Sequence, residues 1–91
     1  MSRIVLVGES NPYGSSPEFA LYPEPSGCSG HRLCHLILGM HRQSYLSAFE
    51  RANLCDYRWT MSEAVQSAAR LMDGGGRFVL LGSKVCAAFG V

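Results

Sequence analysis

The chain has 91 residues, of which 47% are hydrophobic and 16% are charged, and its formal net charge is +1. These values describe one small globular domain, which we place over residues 1–91, and they exclude a disordered or strongly basic chain. No apolar run reaches the ~18 residues that span a bilayer, and no signal segment precedes the first elements. We therefore expect a cytoplasmic protein with no membrane partner and with reduced cysteines.

The first predicted element is a strand. Residues 4–7 form an unbroken Ile-Val-Leu-Val run, which is typical of a strand buried on both faces. Residues 8–14 are predicted to leave the strand as a loop, because Gly8 and Pro12 favour turns. In α/β proteins the loop after a central strand often carries the ligand site. A plain turn over residues 11–14 is the alternative.

Helical and extended patterns then alternate along the chain. A Pro- and Gly-rich loop over 15–30 precedes predicted helices over 30–38 and 42–52, with Ser29 and Ser44 as their caps. An extended segment at 53–55 leads to a helix that starts after Thr60 or Ser62 and stops at the glycines 74–76. A strand over 77–81 and a helix over 85–89 complete the order. This order predicts a three-layer α/β/α fold with a parallel central sheet, truncated because the last helix has only begun.

The loop after the first strand resembles the first motif of the uracil-DNA glycosylase superfamily. That motif is a strand ending in Gly, followed by Asn-Pro and a Tyr, and the matching residues are Gly8, Asn11, Pro12 and Tyr13. The resemblance implies that Asn11 positions the water that attacks the sugar carbon and that Tyr13 lines the base pocket. Glu9 is a nearby carboxylate and is expected to assist.

Two further stretches resemble the same superfamily in the same order. Residues 27–33 look like its Gly-rich segment, although Pro25 stands where one branch has a stacking Phe. We therefore expect stacking from Tyr22 or Phe19. Asn53 is the positional match of the Asn that recognises the uracil edge, a task that suits an amide because it offers both a donor and an acceptor. An Asn that merely ends a helix is the alternative.

A third match follows the predicted last strand, where Leu-Gly at 81–82 leads into an Ala-rich helix. Ser83 and Lys84 at this helix start are predicted to contact DNA phosphates. Ser29 and His31, in the locally basic middle of the chain, are predicted to do the same. A plain helix start and a solvated basic helix face are the alternatives.

The superfamily's last motif, commonly His-Pro-Ser, has no match, because none of the three histidines occupies its position. We therefore expect the amino-terminal portion of a glycosylase-like domain. Three functions stay open. The first is a glycosylase that hydrolyses the N-glycosidic bond of a uracil-type base in DNA. The second is an inactive or partial binding module that acts through self-association or a partner completing the sheet. The third is a small nucleotide-binding α/β protein that uses residues 82–84.

Residue types that bind metals are concentrated in and just before the first predicted helix: Cys28, His31, Cys34 and His35. Their spacing lacks the two separated pairs of a structural zinc site. The four cysteines also lack the close pair expected for an iron–sulfur cluster. We predict no metal and no cofactor, and we expect Cys55 and Cys86 to be buried as small hydrophobic side chains.

Overall fold

The computed structural model describes residues 3–11 and 16–91. Within this part, three parallel strands form one sheet in the order β2-β1-β3. The strands are β1 (Ile4–Ser10), β2 (Glu50–Cys55) and β3 (Arg77–Leu80). The central strand pairs with both neighbours, and Val5 lies opposite Glu50 on one side and Phe78 on the other. The predicted α/β class and parallel sheet are therefore confirmed, while a glycosylase-like layering stays a prediction.

Helical segments connect the strands, as parallel pairing requires. The first, α1 (Ser29–His31), continues directly into a π-helix over Arg32–Ile37. The others are α2 (Arg42–Ala48), α3 (Met61–Asp73) and α4 (Ser83–Ala88). A short 3-10 helix covers Pro17–Phe19 in the loop after β1.

The central strand is buried on both faces because successive side chains of a strand point to opposite sides. Val5 and Val7 lie in one cluster with buried residues of β2, α3 and α4. Leu6 lies in a second cluster with Leu33 and Tyr45, from the π-helix and α2. Burying each such side chain contributes about 1.5–3 kcal/mol, which explains why β1 begins with a continuous apolar run.

The polar residues after that run extend β1, which corrects the predicted loop. The strand continues to Ser10, so Glu9 lies within it. Pairing with β2 is the physical reason: Ser10 lies opposite Cys55, and the Asn11 N–H donates to the Cys55 carbonyl at 3.1 Å. The prediction that the chain leaves the strand at Gly8 was therefore wrong.

The predicted helix over 42–52 was also too long. It ends at Ala48, and residues 50–52 belong to β2, where pairing with β1 outweighs their helical pattern. Its cap is His41, rather than Ser44. The first helix starts at Ser29 and is capped by Cys28, whose sulfur accepts a hydrogen bond from the His31 N–H at 3.4 Å.

The longest helix, α3, is secured at both ends. Thr60, one of the two predicted starts, caps the helix with its side chain accepting from the Glu63 N–H at 3.3 Å. At the other end, Arg3 donates to the carbonyls of Leu71 and Gly75 at 2.8 and 2.7 Å. The Leu71 carbonyl also accepts from the Gly74 N–H at 3.2 Å, so Arg3 gives it a second donor and ties the end of α3 to the start of β1.

The four cysteines are free thiols. Cys55 is buried as predicted, whereas Cys86 is half-buried. In the part of the chain that the structure describes, no helix combines the length and apolar character needed to cross a membrane.

Candidate functional site

A pocket of about 650 Å³ opens at the carboxyl-terminal part of β1 and β2. This volume is within the range of small-molecule sites. The two strands, the loop after β1 and the segment from α1 to the end of the π-helix all contribute to its walls. Its lining includes five residues that the sequence singles out: Glu9, Phe19, Tyr22, Ser29 and Asn53.

Asn53 is held in place by Asn11. The Asn53 Nδ2 donates to the Asn11 Oδ1 at 2.8 Å, and Asn11 is only 6% exposed. Asn53 lies opposite Gly8 in the sheet, and a Cβ at Gly8 would overlap the Asn53 Oδ1. The glycine therefore leaves the space that the amide occupies. One amide hydrogen of Asn53 is used by Asn11, so its second hydrogen and its oxygen are the groups with which it can contact a ligand.

An aromatic pair forms another part of the pocket. The rings of Phe19 and Tyr22 meet edge to face, with centroids 5.1 Å apart and an interplanar angle of 75°. Arg42 donates to the Tyr22 hydroxyl, and its guanidinium carbon lies 5.4 Å from the ring centroid. Arg51 lies 5.7 Å from the same centroid. Two cations thus hold Tyr22, whereas Phe19 is 49% exposed and offers its ring to a ligand.

Side chains of α2 and β2 hold the loop that carries this aromatic pair. The buried Tyr45 hydroxyl donates to the Leu21 carbonyl at 2.7 Å, and burial raises the pKa of Tyr45 to about 12. Arg51 Nη1 donates to two carbonyls of the 17–20 segment at 2.9 and 3.2 Å. Gly30 touches the loop so closely that a Cβ there would overlap the backbone of residues 21–22. The aromatic wall is therefore positioned by the sheet, α2 and α1 together.

Two charged residues of opposite sign, Glu9 and Arg32, belong to the pocket lining, and neither forms an ion pair with a described residue. Glu9 is exposed in the last part of β1, and Arg32 is exposed at the start of the π-helix. Arg32 was not predicted as a pocket residue, and the support that Arg42 and Arg51 give to Tyr22 was not predicted either. The available signal was the local excess of basic residues in the middle of the chain.

The remaining predicted site residues are not among the described residues of the pocket lining. Tyr13 lies outside the described residues. Ser83, Lys84 and His31 are not among the described residues that line the pocket. The Lys84 ammonium lies 5.9 Å from the Trp59 ring centroid, so it packs against the loop before α3. Contacts of these three residues with phosphate stay predictions.

The Cys and His side chains of the first helical segment contact other residues of the fold. Cys34 is buried and its Sγ donates to the Met40 carbonyl at 3.4 Å, while His31 and His35 pack with ring centroids 4.8 Å apart. Across residues 3–11 and 16–91, no three His, Cys, Asp or Glu side chains are grouped so as to hold a metal ion.

Comparison with family models, curated proteins and solved structures finds no match for the chain. A functional argument for this protein therefore depends on the pocket, the Asn pair and the motif resemblance described above.

Proposed function

We propose that this chain is a glycosylase-like domain that takes a uracil-type base, flipped out of DNA, into the pocket and hydrolyses its N-glycosidic bond. The observation that carries the proposal is the position of Asn53. Its amide is fixed by Asn11 in the wall of a pocket whose lining also includes Phe19 and Tyr22. Such a site combines an edge-recognising amide with aromatic faces, the two contacts by which flipped bases are bound.

Asn53 supplies base selectivity in this proposal. A uracil edge presents a ring N–H between two carbonyl oxygens, so the Asn53 oxygen accepts from the ring and its second amide hydrogen donates to a carbonyl. Because Asn11 already fixes the amide, little side-chain freedom is lost on binding. A bidentate amide–base pair is worth about 1–3 kcal/mol, and stacking on an aromatic ring is worth a similar amount.

Glu9 is the proposed general base, since it is an acidic residue of the pocket lining that forms no ion pair with a described residue. Water attacks the sugar carbon and forms a new C–O bond, while the C–N bond breaks and its electron pair leaves with the base. The water proton passes to the Glu9 carboxylate. Asn11 acts as a positioning residue through Asn53, and its role in holding the water stays a prediction.

Binding without hydrolysis is the second candidate, and the environment of Asn11 favours it. Its Oδ1 accepts from Asn53, and it is not among the described residues that line the pocket. A binding module would act through self-association or through a partner at the outer strands β2 and β3, which pair only with β1 among the described residues.

The experiment compares binding and base release on a uracil-containing single-stranded oligonucleotide. Binding is measured by fluorescence anisotropy, and release is measured as alkali-induced strand cleavage. We expect Asn53→Ala to weaken binding by about fivefold to a hundredfold, which corresponds to about 1–3 kcal/mol. We expect Glu9→Gln to bind like the wild type and to lose release. Gln66→Ala, an exposed amide on α3, is the matched control.

The two Asn11 variants test whether Asn11 positions Asn53. Asn11→Asp keeps an acceptor for the Asn53 N–H, so it should retain binding, whereas Asn11→Ala should lose it. If folded wild-type protein binds no uracil-containing DNA, or if Asn53→Ala binds like Gln66→Ala, the base pocket is refuted. Binding by the wild type without release selects the second candidate.

A further inference from the structure

The outer edge of β3 is open, because among the residues that the structure describes this strand pairs only with β1. The pairing fixes which backbone groups face outward. The N–H groups of Arg77 and Leu81 donate to β1 carbonyls at 2.8 and 3.0 Å. Since alternate residues of a strand turn their backbone groups to opposite sides, the N–H and C=O groups of Phe78 and Leu80 face the open edge.

The other outer strand, β2, carries charges that β3 lacks. Glu50 is ion-paired with Arg3 at 3.2 Å, and Arg51 donates to carbonyls of the 17–20 segment, which packs beside β2. Charged side chains are a common protection against pairing at sheet edges. Residues 78–81 of β3 are Phe-Val-Leu-Leu, with no charge and no proline. The edge of β3 is therefore the one suited to accept a further strand.

The side chains of β3 are apolar on both faces of the sheet. Phe78 and Leu80 pack against the cluster formed with α3 and α4, and the rings of Phe78 and Phe89 have centroids 5.7 Å apart. Val79 points to the opposite face and is 42% exposed. An edge with apolar side chains on both faces and free backbone groups between them is a template for strand addition.

We propose that β3 pairs antiparallel with β3 of a second copy about a two-fold axis at Val79, so that two sheets join into one of six strands. The free groups are self-complementary about this axis. Phe78 of each copy lies opposite Leu80 of the other, and each such pair exchanges two hydrogen bonds. The outward-facing N–H and C=O groups of Phe78 and Leu80 in both copies are then satisfied.

Register and charge favour a second copy over another extended segment. A four-residue strand offers only two outward-facing residues, and a second copy matches both by symmetry. Pairing about Val79 separates the two Arg77 side chains by four residue positions, or about 14 Å. This separation exceeds the Debye length of about 8 Å at physiological salt, so their repulsion is largely screened.

The pairing leaves the candidate pocket open. Residues 78–80 are not among the described residues that line it. Antiparallel pairing also directs the carboxyl ends of the two sets of strands to opposite sides, so the two pockets lie apart. The inference gives the self-association of the second candidate function a defined surface, and it does not depend on base hydrolysis.

The first test measures the oligomeric state of the 91-residue chain by sedimentation velocity at micromolar concentrations. We expect a dimer, whose dissociation constant Val79→Lys raises about tenfold or more because two ammonium groups then meet at the axis. Val65→Lys changes a similarly exposed aliphatic residue of α3, 46% exposed, and should leave the dimer unchanged. Circular dichroism establishes that both variants are folded.

A cysteine at the axis tests the register without adding charge. In the proposed pairing the two Val79 Cα atoms lie about 4.5 Å apart, a distance that a disulfide can span. Val79→Cys should therefore form a covalent dimer on mild oxidation, detected on a non-reducing gel. The wild type with its four free thiols and Val65→Cys are the controls, and neither should form this dimer.

Three results would each overturn the inference: a monomeric wild type, a dimer that Val79→Lys leaves intact, or equal cross-linking of Val79→Cys and Val65→Cys. Dissociation by Val65→Lys alone would assign the interface to α3 instead. If Val79→Lys does not fold, the cross-linking result decides. Asn53→Ala separates this inference from the base pocket, since it should lose uracil binding and keep the dimer. If Asn53→Ala binds uracil-containing DNA like the wild type while Val79→Lys dissociates the dimer, the base pocket fails and the strand pairing stands.

Discussion

Replacing Gly8 with Ala tests the geometry of the candidate site directly. Gly8 has the extended backbone of β1, so Ala is compatible with its conformation. The added Cβ would overlap the Asn53 Oδ1, and the amide would have to rotate away. That rotation breaks the hydrogen bond between Asn53 and Asn11 and withdraws the proposed base-recognising group from the pocket.

The expected loss of stability follows from two opposing terms. Leaving the buried Asn11 oxygen without its hydrogen bond costs about 1–3 kcal/mol. Ala restricts the unfolded chain more than Gly does, which offsets about 0.5–1 kcal/mol of that loss. The net loss is therefore about 1 kcal/mol, which lowers the melting temperature of a domain of this size by about 4–8 °C.

A double-mutant cycle of Gly8→Ala and Asn53→Ala, followed by thermal unfolding in circular dichroism, isolates the contact. Without the Asn53 side chain, the nearest atom to the new Cβ is the Leu21 Cδ2 at 3.3 Å, the flexible end of a side chain. Gly8→Ala should then be neutral or stabilising. An equal loss in both backgrounds would show that the overlap with Asn53 is not the cause and would refute the reasoning.

Three further predictions concern the supports of the sheet and the pocket. Arg3→Ala removes hydrogen bonds of 2.7 and 2.8 Å to the end of α3; urea denaturation should show about 1–3 kcal/mol less stability, with exposed Arg77→Ala as the control. Tyr45→Phe leaves the Leu21 carbonyl unpaired and should cost a similar amount. Because burial raises the pKa of Tyr45 to about 12, from about 10 in the unfolded chain, the folded state holds this proton more tightly. The free energy of unfolding of the wild type should therefore keep its full value below about pH 10 and decrease toward pH 12. Denaturation across this range should show a smaller decrease in the stability of Tyr45→Phe. Gly30→Ala forces a Cβ into neighbouring backbone, and such overpacking costs about 1–3 kcal/mol of stability. The melting temperature of Gly30→Ala should therefore fall further than that of Gly8→Ala.

Specific results contradict each of these predictions. Equal stability of Arg3→Ala and Arg77→Ala would show that the bonds to α3 add nothing measurable. An identical pH dependence for the wild type and Tyr45→Phe would assign the alkaline loss to other groups. A wild-type melting temperature for Gly30→Ala would mean that the loop beside α1 moves freely.

Several features were predictable from the sequence because their causes are local. The apolar run at residues 4–7 identifies a buried strand, and Thr60 and Gly74 mark the two ends of α3. The meeting of Asn11 and Asn53 was also predictable, since the carboxyl ends of parallel strands share one edge of a sheet. These inferences require only side-chain pattern, cap chemistry and the order of elements.

Other features depend on residues far apart in the chain, and only the tertiary structure decided them. Residues 50–52 have a helical pattern, yet they join β2 because the backbone of β1 offers them hydrogen bonds. The π-helix that exposes Leu36 and Ile37 is likewise invisible in the residue pattern. Arg51 lies beside Tyr22 because β2 packs against the loop after β1, which fixes the aromatic wall of the pocket. Local sequence thus determined where most strands and helices form, whereas strand pairing and packing brought the two amides together and determined the shape and charge of the site.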